Sequence, residues 1–170
     1  AALLEQSEIH SAWISLDEDN NDLGSFLIYF IAAIQGIFPE FGKEVQAVLA
    51  MPALPPLQVI AQALLNEIDQ IDLDFVLVLD DYHLIREQAI HDTVISLLAH
   101  LPTQMHLVIA ARADPPLKLA QLRARSQLNE LRLADLCFTN EEAEQLLNQV
   151  MALGLKQEQV VTLTSRTEGW

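Results

Sequence analysis

Phe75-Val76-Leu77-Val78-Leu79-Asp80-Asp81-Tyr82-His83 is the stretch from which the rest of the chain is read. Five apolar residues run straight into two carboxylates. A short, continuous apolar run is the pattern of a strand buried on both faces, as in a parallel sheet covered by helices. Such sheets bind ligands beyond the carboxyl ends of their strands, where Asp80 and Asp81 emerge. Adjacent acids repel one another unless a cation or hydrogen-bond donors offset the cost. One reading is a Walker-B element, in which one Asp holds Mg²⁺ and the next helps to place a water. The other is that the pair caps the following helix and keeps a strand end solvated.

Working outward, a second apolar strand is expected at His106–Ala111, delivering Arg112 at its end. The intervening helix, from about Arg86 to His100, would bury Ile90, Val94, Leu97, Leu98 and Leu101 before Pro102 stops it. Strand, helix, strand in that order argues for a parallel crossover. Upstream, Ala12–Leu16 reads as a strand and Asp17–Asp22 as a polar loop. Asp22 can cap a helix through about Gly36, with Phe26, Phe30, Ile34 and Ile37 at helical spacing. The proline-rich Met51–Pro56 breaks the chain, and Pro56 suits the start of a helix carrying Ile60, Leu64, Leu65 and Ile68. Downstream, Leu117–Arg125 is expected to be a short helix and Glu130–Leu133 a last strand. Thr139 and Glu142 form a capping box for a helix ending near Gly154, and Gln157–Ser165 is helical again.

Gly36–Glu44 contains a Gly-Lys pair, but the spacing is one residue too long for a phosphate loop. Glu44 also stands where a metal-binding Ser or Thr would be, and no strand precedes it. It is rejected as a P-loop.

The chain has 170 residues, of which 51% are hydrophobic and 19% charged, which suits one domain with a real core and excludes a disordered tail. Its formal net charge is −15, with only Lys43, Lys118 and Lys156 as lysines, so its surface repels phosphate backbones and direct nucleic-acid binding is not expected. The single Cys137 excludes a disulfide framework and a Cys-rich zinc site and suits a cytoplasmic location. No secretory leader is read at the opening, and Leu23–Phe38 is too short for a membrane span. His83 and the other histidines are expected to carry no chemistry, since no second histidine sits at ligand spacing.

Trp13–Asp22, Phe26–Ala33, Val76–Ile85, Leu107–Pro116, Leu119–Leu133 and Arg166–Trp170 together, and in this order, resemble segments of the MalT-like regulators. These are LuxR-type transcription activators whose ATPase belongs to the STAND class of P-loop proteins. The resemblance implies an α/β fold, a parallel sheet covered by helices of the P-loop NTPase (ASCE/STAND) kind, lacking its first strand and P-loop. Residues 1–135 would be the partial NTPase core and 136–170 the start of the helical segment behind it. ATP and Mg²⁺ are the implied cofactors. Asp80 would hold the metal, Asp81 would orient or activate water, and Arg112 would sense the γ-phosphate and stabilise developing charge; the alternative for Arg112 is a plain ion pair with a carboxylate such as Asp80. Arg123 and Arg125 are weaker anion candidates than surface charges.

The glycine-rich phosphate loop should precede the Trp13 strand and is absent, with Ala1–Gln6 resembling the tail of the helix that would follow it. The chain is therefore expected to be inactive alone. Its expected partners are the remainder of its own regulator chain, namely the P-loop segment, the helical repeats and the DNA-binding domain, with self-association also allowed for. Two functional readings stay open: a part of an ATP-dependent, signal-responsive regulator, and a degenerate free-standing module that acts by protein contact. A receiver-type phosphoacceptor is discounted, because the next strand ends in Arg112 and the last shows no Lys.

Overall fold

Phe75–Asp80 forms the middle strand, β2, of a three-stranded parallel sheet in the computed structural model, which describes residues 9–51, 53 and 55–169. β1 (His10–Ser15) and β3 (Met105–Ile109) flank it. The register sets Trp13 beside Val78 and Val78 beside Val108. The fold class is α/β, a parallel sheet flanked by helices, as the apolar runs required. The readings on Ala1–Gln6, Pro52, Leu54 and Trp170 fall outside the described residues.

Between β1 and β2 lie α1 (Leu23–Gln35), α2 (Lys43–Leu49) and α3 (Leu57–Asp69), and between β2 and β3 lies α4 (Gln88–Ala99). Asp22 caps α1 by accepting from the Ser25 amide at 2.8 Å, and Gly36 closes it. Phe26, Phe30 and Ile34 recur on its buried face. Pro56 stands at the N-cap of α3, one residue before its first turn. Side chains alternate along a strand. Ala12 and Ile14 of β1, with Phe75, Leu77 and Leu79 of β2, join Phe26, Leu64, Ile90 and Val94 of the helices in one core.

The opposite parity has a different fate. Val78 is buried between Trp13 and Val108, yet it stands outside that core, and its two flanking residues are 45% and 46% exposed. The described helices α1, α3 and α4 therefore contribute their buried apolar residues to one side of the sheet.

Chain contacts divide the molecule into two compact units, one up to Gln121 and one from Leu122 on, with α5 (Leu119–Ala124) spanning the division. The second unit carries α6 (Leu133–Leu136), α7 (Asn140–Glu144) running on into π-helical turns at Gln145–Val150, and α8 (Gln157–Thr167). The capping box is present, with the Thr139 amide donating to Glu142 Oε2 at 2.8 Å and the Glu142 amide to Thr139 Oγ1 at 3.2 Å.

Two expectations are corrected here. Glu130–Leu133 is no strand. Leu131 is 79% exposed, Glu130 is taken into ion pairs with Arg123 and Arg132, and the Arg132 amide donates to Asp135 Oδ2 to open α6. The helix begun by Thr139 ends at Val150, not near Gly154. Its last turns widen, and Asn148 binds both the amide and the carbonyl of Leu155, so the chain leaves the helix before it reaches the glycine.

Candidate functional site

The carboxyl end of β2 turns sharply. Asp81 adopts a left-handed conformation, φ 54° and ψ 31°, that side-chain-bearing residues seldom take but Asp tolerates better than most. The turn is held at both ends. The Leu16 amide donates to the Asp80 carbonyl at 3.0 Å, and the Tyr82 amide donates to the Ala110 carbonyl at 3.0 Å. That second bond joins the acid turn to the continuation of β3, two residues before Arg112. The Ala110 amide in turn donates to the Leu79 carbonyl at 2.9 Å. Asp80, Asp81 and Arg112 thus leave the sheet at the same end, from its middle strand and a neighbour.

Neither acid caps a helix. Asp80 Oδ1 accepts from the Asp81 amide at 2.9 Å, and Asp81 makes no capping bond to the turn it opens (Tyr82–Leu84). The amides at and just ahead of the start of α4 are served by others. Glu87 accepts from Ala89, and Asn21 Oδ1 accepts from Arg86 at 2.6 Å and from Glu87 at 3.3 Å. The capping explanation of the acid pair is therefore not realised. Arg112 is exposed where the chain leaves β3.

Behind the acids sits a buried polar pair. Tyr82 is 1% exposed and His91 on α4 is 4% exposed, with the phenol oxygen 3.0 Å from Nδ1. Burial pushes the Tyr82 phenol above its ordinary range, so it keeps its proton, and burial also lowers the His91 pKa, so the imidazole stays neutral and the two share one hydrogen bond. The sequence reading passed over this pair. The available signal was that His91 stands between Ile90 and Val94 on the buried side of α4, where a neutral imidazole needs a partner.

Asn21 is the second residue missed. Its Nδ2 donates to the Leu84 carbonyl at 2.9 Å while its Oδ1 holds the Arg86 and Glu87 amides. One side chain from the loop after β1 thereby clasps the loop after β2. The acidic run around it is a capped turn, with Asp17 accepting from Asp19 and Asn20.

The rejected Gly-Lys pair can be assessed directly. Gly42 has φ 91°, and the amides of Gly42, Glu44 and Val45 all donate to the buried Glu67 carboxylate, the latter two at 2.8 and 3.0 Å. Lys43 pairs with Glu40. Both the amides and the ammonium that a phosphate would need are already engaged by carboxylates.

As a cation site the acid pair is partial. Asp80 supplies a hard oxygen at the strand end, and no cluster of three or more His, Cys, Asp or Glu ligands exists among the described residues. A single strand-end carboxylate is the kind of protein oxygen that Mg²⁺ takes alongside waters and phosphate oxygens. The described residues contain no corresponding cradle for a phosphate chain. Arg123, the weaker anion candidate, is engaged by Glu130 through two hydrogen bonds, and Arg125 is exposed.

No family model matches the chain. Over 166 residues, 98% of its length, it is 34% identical to the HTH-type transcriptional regulator MalT of Yersinia enterocolitica and spans 18% of that protein. It is 35% identical over 158 residues, 93% of its length, to the proteins of the same name from Yersinia pestis and Yersinia pseudotuberculosis, again spanning 18% of each. The chain thus covers less than a fifth of the curated relatives it matches.

Proposed function

The chain is MalT-like along nearly its whole length, and from that premise we propose that it is the Walker-B and sensor part of an ATP-responsive switch in a signal-dependent transcription regulator. The observation that carries the proposal is the acid pair at the carboxyl end of the middle strand, free of any capping duty, with Arg112 following the neighbouring strand. In this reading residues 1–135 belong to the nucleotide-binding core and 136–170 begin the helical segment behind it.

Asp80 would hold Mg²⁺, which when bound neutralises charge on the terminal phosphates. The chain's own residues do the rest. Asp81, 46% exposed at its side chain, offers a carboxylate that accepts a proton from water and points it. Arg112 presents a permanently charged fork to any anion that arrives at the strand ends. The Tyr82 amide, bonded to Ala110, makes the positions of Asp81 and Arg112 interdependent.

The segment supplying the phosphate cradle would belong to the rest of the regulator polypeptide, along with its helical repeats and its DNA-binding domain. The cytoplasm is the compartment where such a regulator meets both ATP and DNA, and among the described residues no helix is long and apolar enough to cross a membrane. The half-exposed Trp13 and Val108 favour a second reading, a module that no longer hydrolyses nucleotide and works by contact through its sheet.

Calorimetric titration of Mg-ATP tests the two. It is run on the chain alone and on the chain extended upstream by its own coding sequence, each with and without Asp80→Ala. Binding by the extended chain that the substitution abolishes is the expected outcome. Absence of binding in both would favour the contact module.

A further inference from the structure

His83 Nδ1 is the only buried side-chain polar atom without a hydrogen-bond partner among the described residues. Buried polar atoms are paired almost without exception, so each orphan calls for an explanation. This one lies 3.8 Å from Asp81 Oδ1, too far for a hydrogen bond but within reach of a small side-chain rotation. The two ends of the contact are unequal: the His83 side chain is 18% exposed, while that of Asp81 is 46% exposed. The imidazole is the more enclosed member and the carboxylate the one with open space around it.

Electrostatics then select the tautomer. With the proton on Nε2, the Nδ1 lone pair would face a carboxylate in a partly desolvated site, and like would meet like. With the proton on Nδ1, an N–H dipole points at the anion.

We propose that His83 is a positioning residue for Asp81: its Nδ1–H is the donor onto which the Asp81 carboxylate closes, turning that acid from solvent toward the end of β2. The left-handed backbone at Asp81 is what brings the carboxylate back alongside the ring of the residue two positions on. One carboxylate oxygen is then held by His83, and the other is left to accept from water. This rests on the reading of Asp81 as the water-orienting acid.

The test is the imidazole tautomer in the ¹⁵N-labelled chain, read from long-range ¹H–¹⁵N correlations at neutral pH. His83→Gln identifies the signal by its loss. His91→Gln assigns the His91 signal in the same way, so the two buried imidazoles are read separately. The expected result is Nδ1–H at His83, moving toward a tautomer mixture in Asp81→Asn, a variant that keeps the left-handed backbone because Asn also tolerates it. An Nε2–H signal in the wild-type chain overturns the inference, and so does a His83 signal that Asp81→Asn leaves unmoved. Mg-ATP calorimetry reports separately on the functional reading. Its failure would leave the His83 tautomer where it is, whereas the wrong tautomer defeats this proposal even in a chain that binds nucleotide.

Discussion

Tyr82 does more for the site than either acid does for the fold. Its ring is buried, its amide holds Ala110 and its hydroxyl holds His91. Tyr82→Phe keeps the ring but leaves Nδ1 of His91 buried and unpaired, which costs about 1–3 kcal/mol. Urea unfolding should show that loss as a lower midpoint at unchanged slope. His91 also sets a pH dependence. Burial holds its folded-state pKa below the ordinary value, so the unfolded chain binds the proton more readily. This contribution to stability is therefore present above about pH 6.5 and is lost as the pH falls through and below the unfolded value. His91→Gln should flatten that limb of the stability profile. Glu130 offers a second titration. The hydrogen bond from Arg123, reinforced by Arg132, lowers its carboxyl to about 2. A carboxyl-carbon NMR titration should find that midpoint, and Arg123→Ala should move it back toward the usual range.

Among the elements, the clasp made by Asn21 is the most exposed to test. It ties the loop after β1 to the two residues just ahead of α4 and to the turn that follows the acids. Asn21→Ala removes the acceptor of the Arg86 and Glu87 amides and the donor to the Leu84 carbonyl, and a loss of about 1–2 kcal/mol is expected. Hydrogen exchange should quicken first at the Arg86 and Glu87 amides. Gly42 marks a different limit. A Cβ there would lie 2.2 Å from Ile31 Cγ2 on a backbone with φ 91°, so Gly42→Ala combines strain with a clash against buried α1 and should destabilise well beyond the cost of either alone.

The same elements explain what could be read in advance. Phe75–Leu79 and the spacing of Phe26, Phe30 and Ile34 carry their own periodicity, so strand and helix were legible from the residues themselves. Glu130–Leu133 shows only two leucines in alternation, too little pattern to outweigh two arginines competing for one glutamate. The acid pair was legible because adjacent carboxylates after an apolar run are conspicuous. Asn21 was not, because its value lies in a partner 63 residues away, and for His91 the helical pattern carries the burial but not the partner, Tyr82.

At the level of the whole molecule, charge and coverage dominate. A net charge of −15 on 170 residues predicts that the chain passes unretained through a heparin column even at low salt. Retention would contradict the expectation that this acidic surface does not bind nucleic acid. Parallel sheets ordinarily have both faces covered. Here Trp13, Val78 and Val108 cross the three strands in one row, with the outer two about half open to solvent. That row places an optical gauge on the sheet face. Indole emission moves to shorter wavelength as water leaves the ring, and the only other tryptophan is Trp170. In a Trp170→Phe background the colour of Trp13 would report, without any label, the moment at which another segment or subunit settles on the sheet.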